Sequence, residues 1–263
     1  MSILIDEMSR AWRESGIKDG DTVLLHSSLK RTLKQYLKQK KTITAEMILE
    51  SFLKAVGPRG TLVLPLFNFE FTTGEPFDYF ETPSHMGLLT EVARKYPGAV
   101  RTGHPIYSFA VLGYNADEFK SINNYSGYGN DSPFAKIHDL NGKIAVLNLP
   151  EQNSMTFYHY IEEMNQVAYR YYKEFSGLYT DAGGVSTNRT YSIYVRDIEK
   201  GVVTDVNPVG ELLWEKGLYT GDRCNQGNGL RVVEARKLYD FVTEIIQSGR
   251  AKGLLYAIKG EVN

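Results

Sequence analysis

T-V-L-L-H-S-S-L-K-R, residues 22–31, decides the fold class. Residues 22–26 form an apolar run of strand length, and the hydroxyl pair Ser27-Ser28 ends it. The chain then turns strongly basic, with Lys30, Arg31, Lys34, Lys38, Lys40 and Lys41 in quick succession. Thr42 or Thr44 starts a helix that runs through Phe52 to Val56, with Glu46 or Glu50 near its first turns. Gly57-Pro58-Arg59-Gly60 breaks it, and residues 61–67 supply a second buried strand. Strand, basic helix, strand is the pattern of parallel α/β architecture.

Upstream, residues 5–15 have helical spacing with Trp12 on the apolar side. Downstream, residues 68–87 carry no persistent periodicity, and a long loop of this kind is often functional. There Glu70, Glu75, Asp78 and Glu81 alternate with Phe69, Phe71, Phe77, Tyr79 and Phe80, a mixture suited to an amine on a partly apolar ring. Residues 86–95 return to helical character. Tyr107, Phe109 and Val111 alternate as a strand after the turn His104-Pro105, where His104 is either a proton-handling residue or a turn histidine satisfied by the backbone. Residues 123–132 read as a polar flexible loop and 133–137 as a short helix.

The run K-I-A-V-L-N-L-P, residues 143–150, reads as a buried strand leading into T-F-Y-H-Y-I-E-E, residues 156–163. Asn153 or Ser154 can cap the helix there, and Phe157, Ile161, Met164 and Ala168 make one apolar face. His159 lies off that face, with Glu162 and Glu163 three and four residues on. A carboxylate one turn away holds an imidazole in a fixed orientation, the geometry of a positioned general base. The plainer alternative is a surface histidine paired with helix charge. Residues 174–200 alternate around a turn at 180–184 and read as a hairpin-rich insert in a single domain spanning 1–263. Helices are expected at 209–216, entered through Asn207-Pro208, and at 233–247, with a last strand at 254–258.

Composition narrows the function. Lys and Arg number 30 against 31 Asp and Glu, a net charge of −1, which disfavours a nucleic-acid polymer or an acidic membrane surface as the main partner. The single cysteine, Cys224, rules out an intramolecular disulfide or a Cys-based zinc cluster. No basic-then-apolar leader and no membrane-spanning run is visible, so a cytoplasmic protein is expected. Ser27 and Ser28 at a strand end, followed by Lys30 and Arg31, suit an anionic group, although no P-loop is present. A polar turn before a solvated basic face is the competing reading.

Five motifs in order resemble the antibiotic/aminoglycoside 3-N-acetyltransferase family: L-L-H-S-S-L (24–29), G-T-L-V-L-P (60–65), P-S-H-M-G (83–87), P-G-A-V-R-T-G-H-P-I-Y-S (97–108) and T-F-Y-H-Y-I-E (156–162). The resemblance implies that family's own mixed α/β fold, distinct from the smaller GNAT fold. It implies acetyl-CoA or another acyl-CoA as cosubstrate, with no metal. It places Ser27 and Ser28 near cofactor phosphates, with Lys30 and Arg31 adding attraction. It makes His159 the catalytic base, Thr156 and Glu162 its support, and His104 a further active-site position. Some relatives instead acylate nucleotide-linked amino sugars. The basic stretch 31–41 suits a sugar-nucleotide diphosphate, so that acceptor is expected here, with Glu70, Glu75, Asp78 and Glu81 contacting its amine. An aminoglycoside is the alternative acceptor. A non-catalytic carbohydrate-binding protein is a further alternative. A serine hydrolase is weaker, since no Gly-x-Ser-x-Gly elbow is present. Homodimerisation is left open.

Overall fold

The computed structural model describes residues 2–260. Helix α1 (Ser2–Glu14) precedes strand β1 (Thr22–Ser27), helix α2 (Leu29–Lys38), helix α3 (Ala45–Val56) and strand β2 (Thr61–Pro65). β1 and β2 pair in parallel, Thr22 opposite Thr61 and Leu24 opposite Val63. Thr44, rather than Thr42, starts α3: its side chain accepts the Met47 amide at 3.3 Å. Gly57 ends that helix at φ 72°, a backbone state that glycine adopts without steric penalty.

Next come β3 (Phe77–Asp78), α4 (Leu88–Arg94), β4 (Val100–Arg101), β5 (Phe109–Gly113), α5 (Ala116–Phe119), α6 (Pro133–Asp139) and β6 (Lys143–Leu147). Helix α7 (Phe157–Met164) leads into the hairpin β7 (Arg170–Thr180) and β8 (Ser186–Arg196). The chain continues with β9 (Val202–Thr204), α8 (Asn207–Glu215), β10 (Thr220–Gly221), β11 (Leu230–Glu234), α9 (Ala235–Gln247) and β12 (Tyr256–Ile258). The main sheet has seven strands in the order β10-β11-β6-β1-β2-β5-β4. Its centre, β6-β1-β2, is parallel, and the strands on both flanks are antiparallel to their neighbours. The parallel pattern read from residues 22–67 therefore holds for the centre of a mixed sheet.

Strand alternation builds two cores. Leu24, Val63, Phe109 and Val146 face one side, where they meet residues of α6, α7 and α9. Val23, Leu25, Leu62 and Leu64 face the other, packed on α1, α3 and α4. Trp12 of α1 stacks on Phe52 of α3 with centroids 4.7 Å apart, and its indole N–H donates to Ser51 at 2.8 Å. Fully burying a side chain such as Phe52 contributes about 1.5–3 kcal/mol. Among the described residues no helix is long and apolar enough to cross a membrane.

Four local expectations change. Residues 230–234 form strand β11, antiparallel to β6, so the last long helix begins at Ala235, not Val233. A short apolar run abutting a helical pattern is ambiguous by periodicity alone, and pairing with β6 settles it. Residues 151–153 form a single 3-10 turn, and Ser154 bonds back to the Pro150 carbonyl at 2.8 Å. Neither Asn153 nor Ser154 therefore caps α7; Thr156 holds the cap position without a side-chain bond. Ala168 lies beyond the helix end and is exposed, while Val167 is buried. In the segment 123–132, Asn124 and Tyr128 are buried, and Ser126 bridges to Ser192 of β8. That polar stretch is packed against the hairpin.

Candidate functional site

Phe157 and Ile161 anchor α7 in the core, which turns His159 away from them toward a small cavity of about 230 Å³. Thr156, Met155, Phe67, Phe69 and Tyr107 also line that cavity. One turn on, Glu162 places Oε2 2.7 Å from His159 Nδ1. Its other oxygen accepts the Tyr169 hydroxyl at 3.0 Å. Arg170, the first residue of β7, brings Nε to 2.7 Å from Oε2 of Glu162 and Nη2 to 2.8 Å from His159 Nδ1. Its Nη1 donates to the Tyr194 carbonyl at 3.1 Å, so β8 fixes the guanidinium. The Tyr128 ring meets the imidazole edge-on at 5.4 Å. Both close partners meet Nδ1, and Nε2 has no hydrogen-bond partner among the described residues.

The electrostatics favour a neutral imidazole. Burial and then the Arg170 charge push the His159 pKa below its ordinary value, against the opposing pull of Glu162. For Glu162, burial is the largest single influence and pushes upward, yet Arg170, His159 and Tyr169 together hold the carboxyl below its usual range. The site thus combines an ionised carboxylate with an imidazole whose lone pair is available at neutral pH.

A second buried ionic group holds the loop before Thr156. Glu151 accepts from Tyr158 at 2.5 Å, Tyr219 at 2.8 Å and Arg231 at 3.1 Å. Arg231 also donates to the Leu149 carbonyl at 2.6 Å and to Ser154 Oγ at 3.1 Å. Gly210 of α8 permits this closeness: a Cβ there would lie 2.7 Å from Glu151 Cγ. Arg231, Val146 and His26 stand in register across β11, β6 and β1. Burial and the Arg231 charge drive the His26 pKa down to about 3.

The structure distributes the other expected residues over the molecule. Ser27 and Ser28 stand at the C-terminal end of β1, with Ser28 at the cap position of α2 and no side-chain cap bond. Lys30 is exposed. Arg31 is engaged by Asn148 Oδ1 at 3.1 Å and the Gly227 carbonyl at 3.0 Å, tying α2 to the loop before β11. Glu70, Glu75, Asp78 and Glu81 line one cavity of about 290 Å³. The loop 67–86 serves both cavities, since Phe67, Phe69 and Met86 line the one that holds His159. Glu70 lies 3.6 Å from His85 Nε2, and Asp78 accepts the amides of Phe80 and Glu81.

His104 is fully buried. Its Nδ1 accepts the amides of Ile106 and Tyr107 at 3.2 and 3.0 Å, and burial lowers its pKa to about 3. The backbone thus satisfies Nδ1, Nε2 is buried without a hydrogen-bond partner among the described residues, and the rings of Tyr107 and Tyr128 stand between His104 and His159. Sequence reasoning missed Arg170, Tyr169, Tyr128 and the Glu151–Arg231 pair. The one available signal for Arg170 was the need of a buried Glu162 for a cation. Among the described residues, no group of three or more His, Cys, Asp or Glu side chains is placed to hold a metal.

The sequence profile of the aminoglycoside 3-N-acetyltransferase family matches residues 24–247. The chain belongs to that family. It is 27% identical over 175 residues to aminoglycoside N(3)-acetyltransferase IX of Micromonospora chalcea, a match covering 58% of this chain and 59% of that relative. The match thus spans less than two thirds of the relative's length. Among solved structures it is similar to AAC-IIIb in its binary form with CoASH, at TM-score 0.75 and 19% identity, covering 93% of this chain and 96% of that one. It is likewise similar to AAC-VIa bound to sisomicin, at TM-score 0.75 and 20% identity, covering 94% and 98%. The mixed α/β fold is therefore that of these acetyltransferases, not the GNAT fold.

Proposed function

We propose that this family member is an acetyl-CoA-dependent N-acetyltransferase whose acceptor is an amine of an aminoglycoside. The observation that carries the reading is the His159–Glu162 pair opening on a cavity, in a chain whose residues 24–247 match the family. The acceptor amine reacts in its uncharged form: its nitrogen attacks the thioester carbonyl, forming the C–N bond, and His159 Nε2 takes the N–H proton that the nitrogen sheds. The Thr156 hydroxyl, which lines the same cavity as His159, meets the developing oxyanion. Collapse breaks the C–S bond, and the proton held by His159 passes to the departing CoA sulfur. Ser27 and Ser28, at the end of a parallel strand and the start of α2, supply the anion side of the CoA site.

The acceptor reading shifts from a nucleotide-linked sugar to an aminoglycoside for three reasons. The cations that suggested a diphosphate partly serve the fold: Arg31 is held by Asn148 and Gly227, and Lys41 pairs with Glu7 at 2.8 Å. Four carboxylates instead line the cavity at Glu70, Glu75, Asp78 and Glu81, which suits a polycation. The relatives named for aminoglycosides point the same way. Thiol release from acetyl-CoA, measured side by side with aminoglycosides and nucleotide-linked amino sugars, tests it. Turnover of the sugar nucleotides alone restores the first acceptor, and no thiol release with either defeats the reading.

A further inference from the structure

We propose that Arg170 is a positioning residue that lets Glu162 orient His159 without converting the ring into an imidazolium. The inference rests on the acyl-transfer reading above, since it concerns the base of that reaction.

A buried carboxylate beside an imidazole ordinarily favours the protonated ring, by about 1–3 pH units for a close opposite charge. Glu162 is such a carboxylate, with its side chain 1% exposed and 2.7 Å from Nδ1. Acting alone it would orient His159 and also fill the lone pair that the reaction needs. Arg170, itself 5% exposed, stands against both groups at once, 2.7 Å from Oε2 and 2.8 Å from Nδ1.

The chemistry of the donors limits what Nδ1 can do. A guanidinium N–H only donates, and Nδ1 has one in-plane position for either a proton or a lone pair. A neutral ring that donates Nδ1–H to Glu162 keeps its lone pair on Nε2, whereas one that accepts from Arg170 carries its proton on Nε2; the first is the form that serves as the base. A doubly protonated ring must place a second cation 2.8 Å from the guanidinium in a buried site. The remaining neighbours do not reverse this balance. Arg196 on β8 also disfavours the cation, Tyr128 offers a neutral ring edge, and Tyr169 bonds the far oxygen of Glu162. The hairpin thereby enters the chemistry: β7 delivers Arg170 and the Tyr194 carbonyl of β8 holds it.

The test is a nitrogen-detected NMR titration of the His159 ring in the full chain, alongside the pH profile of kcat/KM for thiol release. Arg170→Met is expected to raise the His159 midpoint by about 1–3 pH units and to move the acid limb of kcat/KM up with it. Arg170→Lys is expected to restore both in large part. A folded Arg170→Met protein whose His159 titrates at or below the wild-type midpoint overturns the proposal. Should that variant not fold, Glu162→Gln compared with Glu162→Gln/Arg170→Met isolates the same effect. The double variant is expected to titrate higher than the single one, and identical midpoints overturn the proposal. The ring titration needs no substrate, so it still judges Arg170 if a folded wild type releases no thiol and the acyl-transfer reading falls.

Discussion

Glu151 and Arg231 form a buried ion pair beneath the loop that carries Thr156, with Nη2 3.1 Å from Oε2 and both side chains under 10% exposed. Two tyrosine hydroxyls complete the carboxylate's bonding, so removal of the arginine strands a buried negative charge. Arg231→Met is expected to destabilise the fold by about 3–5 kcal/mol. Glu151→Gln/Arg231→Met, which removes both charges, is expected to lose less. Chemical denaturation of the three proteins checks the order. A single variant as stable as the wild type would show that the loop does not depend on this pair.

The base proposed on α7 gives the most direct kinetic expectation. His159→Ala is expected to lower turnover by about 10²–10⁴-fold, the scale of a positioned acid–base group, with the circular dichroism spectrum retained. Glu162→Gln is expected to lose less, because it removes orientation and leaves the imidazole. Undiminished product formation by folded His159→Ala protein would remove the residue from the reaction.

The parts of this molecule that were legible in the sequence are those fixed by local chemistry. β1, β2 and β6 are continuous apolar runs because both faces of the central sheet are covered, and the start of α3 was legible to within Thr42 or Thr44, of which Thr44 caps it. His159 and Glu162 were legible as a pair because one helical turn separates them. Arg170 was not, since it reaches them only through the start of the hairpin, outside any helical spacing. Tyr128 was hidden in a polar stretch that bridges to the hairpin at Ser126–Ser192, a contact no local pattern announces. β11 was masked by the helix that follows it without a break, and Arg231 went unnoticed with it.

Histidine burial sets a pH dependence of stability. His26 and His104 have pKa values lowered to about 3 from an ordinary value of 6.5, by burial in both and by Arg231 at His26. The unfolded chain therefore binds protons more readily between those values, so stability rises with pH across that window. It is expected to be fully present above pH 6.5 and to be lost progressively as pH falls toward 3. Carboxylates held by cations add to the loss at the acid end. Thermal melts from pH 7 to 4 on the wild type and on His26→Leu separate the contributions. The variant is expected to show a shallower decline, and parallel curves would contradict the assignment.

For the cosubstrate, Ser27→Ala/Ser28→Ala is expected to weaken CoA binding by about 2–4 kcal/mol, the loss of two hydrogen bonds to a charged group. Acceptor affinity is expected to change far less. Calorimetric titration with CoA measures it, and wild-type affinity in the double variant would move the cofactor away from the end of β1.

The acidic cavity proposed for the acceptor makes the last expectation electrostatic. Glu70, Glu75, Asp78 and Glu81 share one cavity, but they are not equivalent. Asp78 shapes its own turn by accepting two amides, so its replacement mixes folding with binding. Glu75 and Glu81 are exposed, which makes their removal the cleaner probe of charge. Glu75→Gln/Glu81→Gln is expected to raise KM for a polycationic aminoglycoside several-fold while leaving kcat within about twofold, because lost attraction weakens ground state and transition state alike. Added salt screens the same attraction over a Debye length of about 8–10 Å at moderate ionic strength. The wild-type KM is therefore expected to climb with salt more steeply than that of the double variant. Steady-state kinetics over a salt series decides the matter. Equal slopes for the two proteins would place the acceptor outside this cavity while leaving His159 and its partners in their assigned roles.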